Sequence, residues 1–326
     1  MPLPSSVAPS PPPPRPDLVL GIDGGGTNTQ CLLADLATGD VLGRGESGPS
    51  NIQSVGVPVG LAALDASIDR AFAAANLSRG TVAAACLGLA GVDRREGLDV
   101  IHGWAARGKL AGRVTVANDA TLLLAAGTPD GWGLAVIAGT GSIAFVKTAD
   151  GRVERCGGWG YLLGDEGSAY SIALTGLRAA CRSFDGVTPP TTLIDRFVQH
   201  MNLTAAPEFI HAVYQGPWNR SAIAGLAPVV FGAAADGDAT ADGIVSEQAT
   251  ALAHTAARAV VANGLPTDGL PVALAGGVLT RSDRFRDTFL AALTAAGVTP
   301  GPVRMVTEPA AGAVVLARRE VASEAR

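Results

Sequence analysis

The feature that most constrains this chain is a pair of matching segments. In the first, Gly21-Ile22-Asp23-Gly24-Gly25-Gly26-Thr27-Asn28 runs into an apolar stretch at residues 29–35, and the turn Ala37-Thr38-Gly39-Asp40 leads to another at 41–47. In the second, an apolar stretch at 133–138 meets Gly139-Thr140-Gly141-Ser142, then residues 143–147, the turn Thr148-Ala149-Asp150-Gly151, and residues 153–156. Each reads as strand, glycine loop with threonine, strand, turn, strand. Glycine-rich phosphate loops usually open a helix; here a second apolar run follows at once, so the glycines are expected to close a hairpin. Two copies about one domain length apart point to a duplicated architecture. Chance similarity between two hairpins is the competing explanation.

Between and after these copies the pattern alternates. Strands are expected at residues 18–23, 29–35, 41–47, 82–87 and 114–117, with helices near 58–75, near 94–107 and from about 119. After the second triplet come helices at 165–181, 191–201 and 239–263, with a helical pair around 207–235. A buried strand at 270–275 runs into a helix begun by Gly276-Gly277. A short strand at 303–306 precedes a last helix from 309 to about 321, with proline in its first turn. Meandering strands followed by strand–helix units make a mixed α/β layer.

Composition narrows the partners. The 326 residues suffice for two ordinary domains, and they are 48% hydrophobic but only 5% aromatic, so alanine and branched aliphatics build the core. A formal charge of -5 without a basic run argues against nucleic acid and against an anionic membrane as partner. No stretch approaches the roughly 18 unbroken apolar residues of a spanning helix. The first sixteen residues contain eight prolines and are expected to be a solvated tail of polyproline II character, lacking the apolar core of a secretory signal. Cys31, Cys86, Cys156 and Cys181 never form Cys-x-x-Cys, so a reduced, cytoplasmic protein is expected.

Glycines without Cβ atoms let backbone N–H groups approach an oxyanion closely. Gly24, Gly25 and Gly26 in one loop and Gly139 and Gly141 in the other fit that use, with Thr27, Asn28, Thr140 and Ser142 as added donors. If the copies form two domains, their loops face each other across a cleft and a polyphosphate lies between. Asp23, ending its strand, is then placed for Mg²⁺ through a water. Asp119 stands where a strand gives way to a helix, the usual edge for site residues in α/β sheets. Asn118-Asp119 reads equally as a helix cap. Gly157-Gly158 offers bare backbone beside the aromatic Trp159, and Asp165 is either a second site carboxylate or another cap. Asp236, Asp238 and Asp242 fit a solvated turn better than a metal site.

Taken together, these segments resemble the actin, sugar kinase and Hsp70 ATPase superfamily over about residues 17–320. Gly276-Gly277-Val278 is similar to its adenosine motif, and Leu87-Gly88-Leu89-Ala90-Gly91 and Ala310-Ala311-Gly312-Ala313 resemble its two connecting segments. The resemblance implies an α/β protein of two related actin-like (ribonuclease H-like) domains, with mixed β-sheets flanked by helices and a cleft between them. A tail at 1–16, an N-terminal domain at 17–128 and a C-terminal domain at 129–326 are expected, the last helix at 309–321 returning towards the hinge. Gly48-Pro49-Ser50-Asn51, Val116-Ala117-Asn118-Asp119-Ala120 and the segment from Gly157 to Ser168 resemble the N-acetylglucosamine kinase branch of the BadF/BadG/BcrA/BcrD-type ATPase family.

That resemblance implies a cytoplasmic ATP- and Mg²⁺-dependent amino-sugar kinase acting on the 6-hydroxyl of N-acetylglucosamine, with Asp119 as catalytic base. ATP would lie on Gly24, Gly25, Gly26, Thr27, Asn28, Gly139, Thr140, Gly141, Ser142, Gly276 and Gly277. The sugar would lie on Asn51, Asn118, Asp119, Thr140, Gly157, Gly158, Trp159 and Asp165, with Glu166 structural. A homodimer whose other partners are ATP and a small-molecule sugar is expected. Glucosamine and muramic acid are alternative substrates. An alternative of another class is an ATPase activator or regulator without sugar kinase activity; activators of 2-hydroxyacyl-CoA dehydratases need closely spaced cluster cysteines, an arrangement that Cys156 and Cys181 do not suggest.

Overall fold

Along the strand β1 (Pro14–Gly24) successive apolar side chains turn to opposite faces of a sheet. Leu18, Leu20 and Ile22 enter a core with Ile68, Phe72 and Trp104, whereas Val19 enters another with Ala313, Val314 and Ala317. A strand apolar on both faces demands helices on both. The computed structural model describes residues 14–89, 92 and 95–323. These divide into two compact units, one running to Ala126 and resuming at Glu308, the other spanning Gly127–Thr307.

The first unit contains β1, β2 (Thr29–Asp35), β3 (Val41–Ser47), α1 (Ile52–Val55), α2 (Val57–Ala74), β4 (Thr81–Leu89), α3 (Arg95–Arg107), β5 (Ala111–Ala117) and α4 (Asp119–Gly127). The second contains β6 (Gly133–Ala138), β7 (Ser142–Lys147), β8 (Val153–Gly157), α5 (Ala169–Phe184), α6 (Leu193–His200), α7 (Glu208–Gln215), α8 (Arg220–Ala224) and α9 (Ala227–Ala235). It continues through α10 (Ala239–Ala262), β9 (Asp268–Ala275), α11 (Gly277–Arg281), α12 (Asp283–Ala295) and β10 (Thr299–Met305). The chain ends with α13 (Ala310–Ala322).

The sheets run β3-β2-β1-β4-β5 and β8-β7-β6-β9-β10. In each, the first three strands are antiparallel and the last two join in parallel. The two halves therefore share one topology, as the repeated strand–loop–strand pattern leads one to expect. Among the described residues, no single helix is long and apolar enough to cross a membrane.

Three expectations need correction. Pro14 and Arg15 pair with Thr81 and Val82, so β1 starts before Leu18 and takes in the end of the segment expected as a tail; proline is tolerated where a strand begins. Residues 1–13 lie outside the described part, as do Ala90 and Gly91 of the first connecting segment. The last helix, placed by sequence in the C-terminal domain, belongs to the first unit. Its Ala310, Ala313 and Ala317 pack with Val19, Leu32, Ala84 and Cys86. The helix expected from Asp165 begins only at Ala169, capped by the Ser168 hydroxyl, which accepts from the Ser171 N–H. Asp165 has φ of +65° and Gly167 of +78°, backbone incompatible with an α-helix.

Small residues let α13 lie directly on β1. A Cβ on Gly21 would come 2.5 Å from both the Ala310 carbonyl oxygen and the Val314 nitrogen. Gly21→Ala should therefore lower the thermal unfolding midpoint by an overpacking cost of about 1–3 kcal/mol or more. Gly48→Ala, where nothing lies within 4 Å of an added Cβ, should unfold like the wild type in the same melts.

Candidate active site

In the first unit the strand pairing runs up to the glycines. Asp23 pairs with Gln30 and Gly24 with Thr29, leaving Gly25, Gly26, Thr27 and Asn28 as the loop. The Gly25 N–H donates to the Asn28 carbonyl at 2.9 Å, while Gly26, Thr27 and Asn28 are exposed. The Gly25 carbonyl accepts from the Ser50 and Asn51 N–H groups at 3.1 and 3.2 Å, which ties the 48–51 segment to the loop. Ser50 is fully buried, its hydroxyl packs against Gly24, and that oxygen has no hydrogen-bond partner in the structure. The Asn51 side-chain oxygen caps α1 through the Gln53 N–H at 3.0 Å.

Beside this loop lie two carboxylates. The Asn118 side-chain oxygen accepts from the Thr121 N–H and hydroxyl at 2.9 and 2.8 Å, so the cap of α4 is Asn118 and not Asp119. Burial, together with the Asp119 charge, raises the Asp23 carboxyl from its ordinary 3.8 to about 6. Two like charges held near each other and partly shielded from water are the setting that a hard divalent cation relieves. Among the described residues no three His, Cys, Asp or Glu side chains converge as a metal cage. Two carboxylates suit Mg²⁺, which takes one or two protein carboxylates and completes its shell with water and phosphate oxygens.

In the second unit Ala138 pairs with Ser142, so Gly139, Thr140 and Gly141 form the second loop. The Gly139 N–H donates to the Gly141 carbonyl at 2.9 Å, and the Gly139 carbonyl accepts from the Ala169 N–H at 2.8 Å, fastening the loop to the start of α5. The Ser142 hydroxyl donates to the Glu166 carbonyl at 2.6 Å. Asp165, 3% exposed, accepts from the Gly160 N–H at 3.2 Å and from Arg220 Nη2 at 3.0 Å. Gly157 and Gly158 have φ of +76° and +66°, and the exposed Trp159 ring lies 5.0 Å from the Arg155 guanidinium carbon.

A cavity of about 820 Å³ opens beside the second loop. Gly139, Thr140 and Ala169 form one wall, Gly277, Val278 and Arg281 of α11 another, and Ser221, Ala224 and Phe231 of α8 and α9 a third. Gly276, with φ of +87°, lies so close to Ala138 that any Cβ would collide with that backbone. The adenosine-like motif and the second glycine loop thus meet in one apolar-walled cavity of ordinary ligand-site size. Sequence reading missed the wall formed by α8 and α9, and it missed Arg220. The small residues Ala222, Ala224 and Gly225 were the local signal. Asp238, read as part of a solvated turn, caps α10 and also accepts from Thr191 and Thr192. Burial opposes ionisation there, yet these hydrogen bonds hold its carboxyl down at about 2. Cys31 and Cys86 are buried, and burial pushes the Cys86 thiol to about 12.

Duplicated sheets with glycine hairpins define the class of actin-like ATPases and sugar kinases. The chain belongs to the BadF/BadG/BcrA/BcrD ATPase family, whose model matches residues 20–317. It is 32% identical over 302 residues to the N-acetylmuramic acid/N-acetylglucosamine kinase of Clostridium acetobutylicum, covering 93% of this chain and 98% of that protein. It is 30% identical over 316 residues to the N-acetyl-D-glucosamine kinase of Dictyostelium discoideum, covering 92% and 98%. The crystal structure of a candidate N-acetylglucosamine kinase from Chromobacterium violaceum matches with a TM-score of 0.71 at 27% identity, covering 92% of this chain and 99% of that one.

The raised Asp23 carboxyl has a measurable consequence for the metal-free protein. A folded-state pKa above the unfolded one means that the native state holds the proton more tightly, so this group's stabilising contribution is complete below about pH 4 and is lost as pH rises through about 6. Asp23→Asn keeps a neutral side chain at every pH. In chelator-treated samples it should melt like the wild type near pH 4 and be more stable by about 1–3 kcal/mol at pH 8. A variant less stable than wild type at pH 8 would show that Asp23 is compensated in the fold.

Proposed function

We propose that this protein transfers the γ-phosphoryl group of ATP to the 6-hydroxyl of N-acetylglucosamine. The observation that carries the reading is the second-unit cavity, where the adenosine-like Gly276-Gly277 turn and the Gly139–Gly141 loop share one wall system. Its agreement with two kinases of amino sugars over nearly the whole chain supports the substrate class. ATP lies with its base against the apolar cavity wall and its phosphates on the backbone donors of the glycine loops, helped by Thr27, Asn28, Thr140 and Ser142. Asp23, through a water and beside Asp119, would hold Mg²⁺, which would supply charge neutralisation for the phosphates. The sugar lies on Asn51, Asn118, Thr140, Gly157, Gly158, Trp159 and Asp165, and the protein works as a cytoplasmic homodimer.

Asp119 acts as the base. It opens α4, whose cap its neighbour Asn118 supplies, and its carboxylate accepts the proton of the sugar hydroxyl as the phosphoryl group arrives. Phosphoryl transfer has a loose transition state, and positioning with charge stabilisation provides most of the acceleration. The base adds about 10²–10⁴-fold.

ADP release measured by a coupled assay should be fastest, in kcat/KM, with N-acetylglucosamine among N-acetylglucosamine, glucosamine, N-acetylmannosamine, N-acetylmuramic acid and glucose. No rise above background with any of them would sink the kinase reading. Asp119→Asn should lower kcat by roughly 10²–10⁴-fold with nucleotide affinity nearly unchanged. Near-normal turnover in that variant would move the base elsewhere.

A further inference from the structure

The second unit contains an ion pair that neither capping nor the chemistry above requires. Asp165 is left out of the α5 cap, which Ser168 supplies, yet its carboxylate is buried and its backbone is held at φ +65°. Keeping a buried carboxylate ionised takes a partner, and that partner is Arg220, 55 residues away in sequence. Arg220 opens α8, whose next residue Ser221, and then Ala224, line the 820 Å³ cavity. Its guanidinium carbon lies 5.2 Å from the Tyr161 ring centroid. Both the guanidinium and the Asp165 carboxylate press on the second glycine loop, since a Cβ on Gly141 would fall 2.8 Å from each. Asp165 in turn accepts the Gly160 N–H, and the Gly160 carbonyl accepts the Leu163 and Gly164 N–H groups. One planar fork therefore touches a cavity wall, the glycine loop and the 157–164 segment at once.

We infer that Arg220 is a positioning residue that couples occupancy of the cavity to the order of the 157–164 segment, through Asp165. The inference rests on the cavity being the nucleotide site and the segment the sugar site, as proposed above. Nucleotide in the cavity restrains α8 and the Gly139–Gly141 loop. Arg220 is thereby fixed against Asp165 and Tyr161, and Gly160 to Gly164 become ordered before sugar arrives. Arg220 has the side chain for this role: its side chain is 42% exposed where that of Asp165 is 4%, so it retains freedom that a ligand can remove. By linkage, the sugar tightens nucleotide by the same factor as nucleotide tightens sugar.

The test uses the full chain and a non-hydrolysable ATP analogue with Mg²⁺, and it needs no sugar. Amide hydrogen exchange of a peptide spanning 157–164 should slow on adding the analogue to wild type by about 5- to 150-fold, the usual span of such couplings. In Arg220→Met the analogue should bind within about threefold of the wild-type affinity, measured by calorimetry, while its effect on that peptide disappears. Arg220→Lys, which keeps the charge but loses the fork and the ring stacking, should recover only part of it. Unchanged protection by nucleotide in Arg220→Met would overturn the inference, and so would absence of protection in wild type that binds the analogue. Faster exchange by the same factor with and without nucleotide would also overturn it, because that is the mark of a purely structural pair. Should Arg220→Met fail to fold with Asp165 left uncompensated, the double variant Arg220→Met/Asp165→Asn removes both charges. It should lack nucleotide-dependent protection, and retained protection there overturns the proposal. In wild type, calorimetry with N-acetylglucosamine alone tests the sugar-site reading separately: no binding sinks that reading, whatever the exchange result.

Discussion

Everything at the candidate site depends on antiparallel pairing carried to the last possible residue. Gly24 opposite Thr29 and Ala138 opposite Ser142 close the two hairpins, so each loop is short and anchored on both sides by sheet hydrogen bonds. A longer loop would need a core of its own or would move freely, and its N–H groups would lose their direction. The parallel neighbours β4 and β9 then cover the other edge of β1 and β6. The strand that delivers each glycine loop is thus the central one of its sheet, which is where rigidity is greatest. Functional backbone mounted on such a strand stays pre-organised without side chains to brace it.

Much of this was legible in the sequence, because the signals are local. Short apolar runs bounded by turn residues gave β2 and β7 within a residue or two, and glycine followed at once by a second apolar run separated a hairpin from a helix-opening loop. What stayed hidden depends on contacts distant in sequence. The late start of α5 follows from Gly167, whose missing Cβ makes room for Leu252 and the Gln248 carbonyl of α10; nothing near residue 167 announces that neighbour. The place of α13 in the first unit turns on Ala310, Ala313 and Ala317 meeting a sheet face nearly 300 residues earlier. Small residues at helical spacing mark close packing without naming the partner. The cavity wall of α8 and α9 was read only as helix, and Arg220 was one arginine among many until Asp165 appeared beside it.

The two carboxylates Asp165 and Asp23, each near a glycine loop, are handled in opposite ways. Asp165 is matched within its own unit by Arg220 and a backbone N–H, so its charge is balanced before any ligand arrives. Asp23 faces the like charge of Asp119 and is pushed up to about 6. Perturbed carboxylates of this kind gather at functional sites because the destabilisation is released when a ligand binds. Asp165, in contrast, is held in place, its left-handed backbone fixed by the contacts that surround it.

Charge balance on the phosphate side completes the argument. Neither glycine loop contains lysine or arginine, from Gly24 to Thr29 or from Gly139 to Ser142. A triphosphate placed there would meet backbone dipoles, hydroxyls and, in the first unit, two carboxylates of its own sign. Backbone N–H groups stabilise an oxyanion well but bring no net positive charge. The missing positive charge must come from a cation bound with the nucleotide, or from an arginine brought to the loop from elsewhere in the chain. Asp23 could hold such a cation in the first unit; in the second, Arg220 packs against Gly141 but is already paired with Asp165. Neutralisation at both loops would then fall to the cation that accompanies the nucleotide.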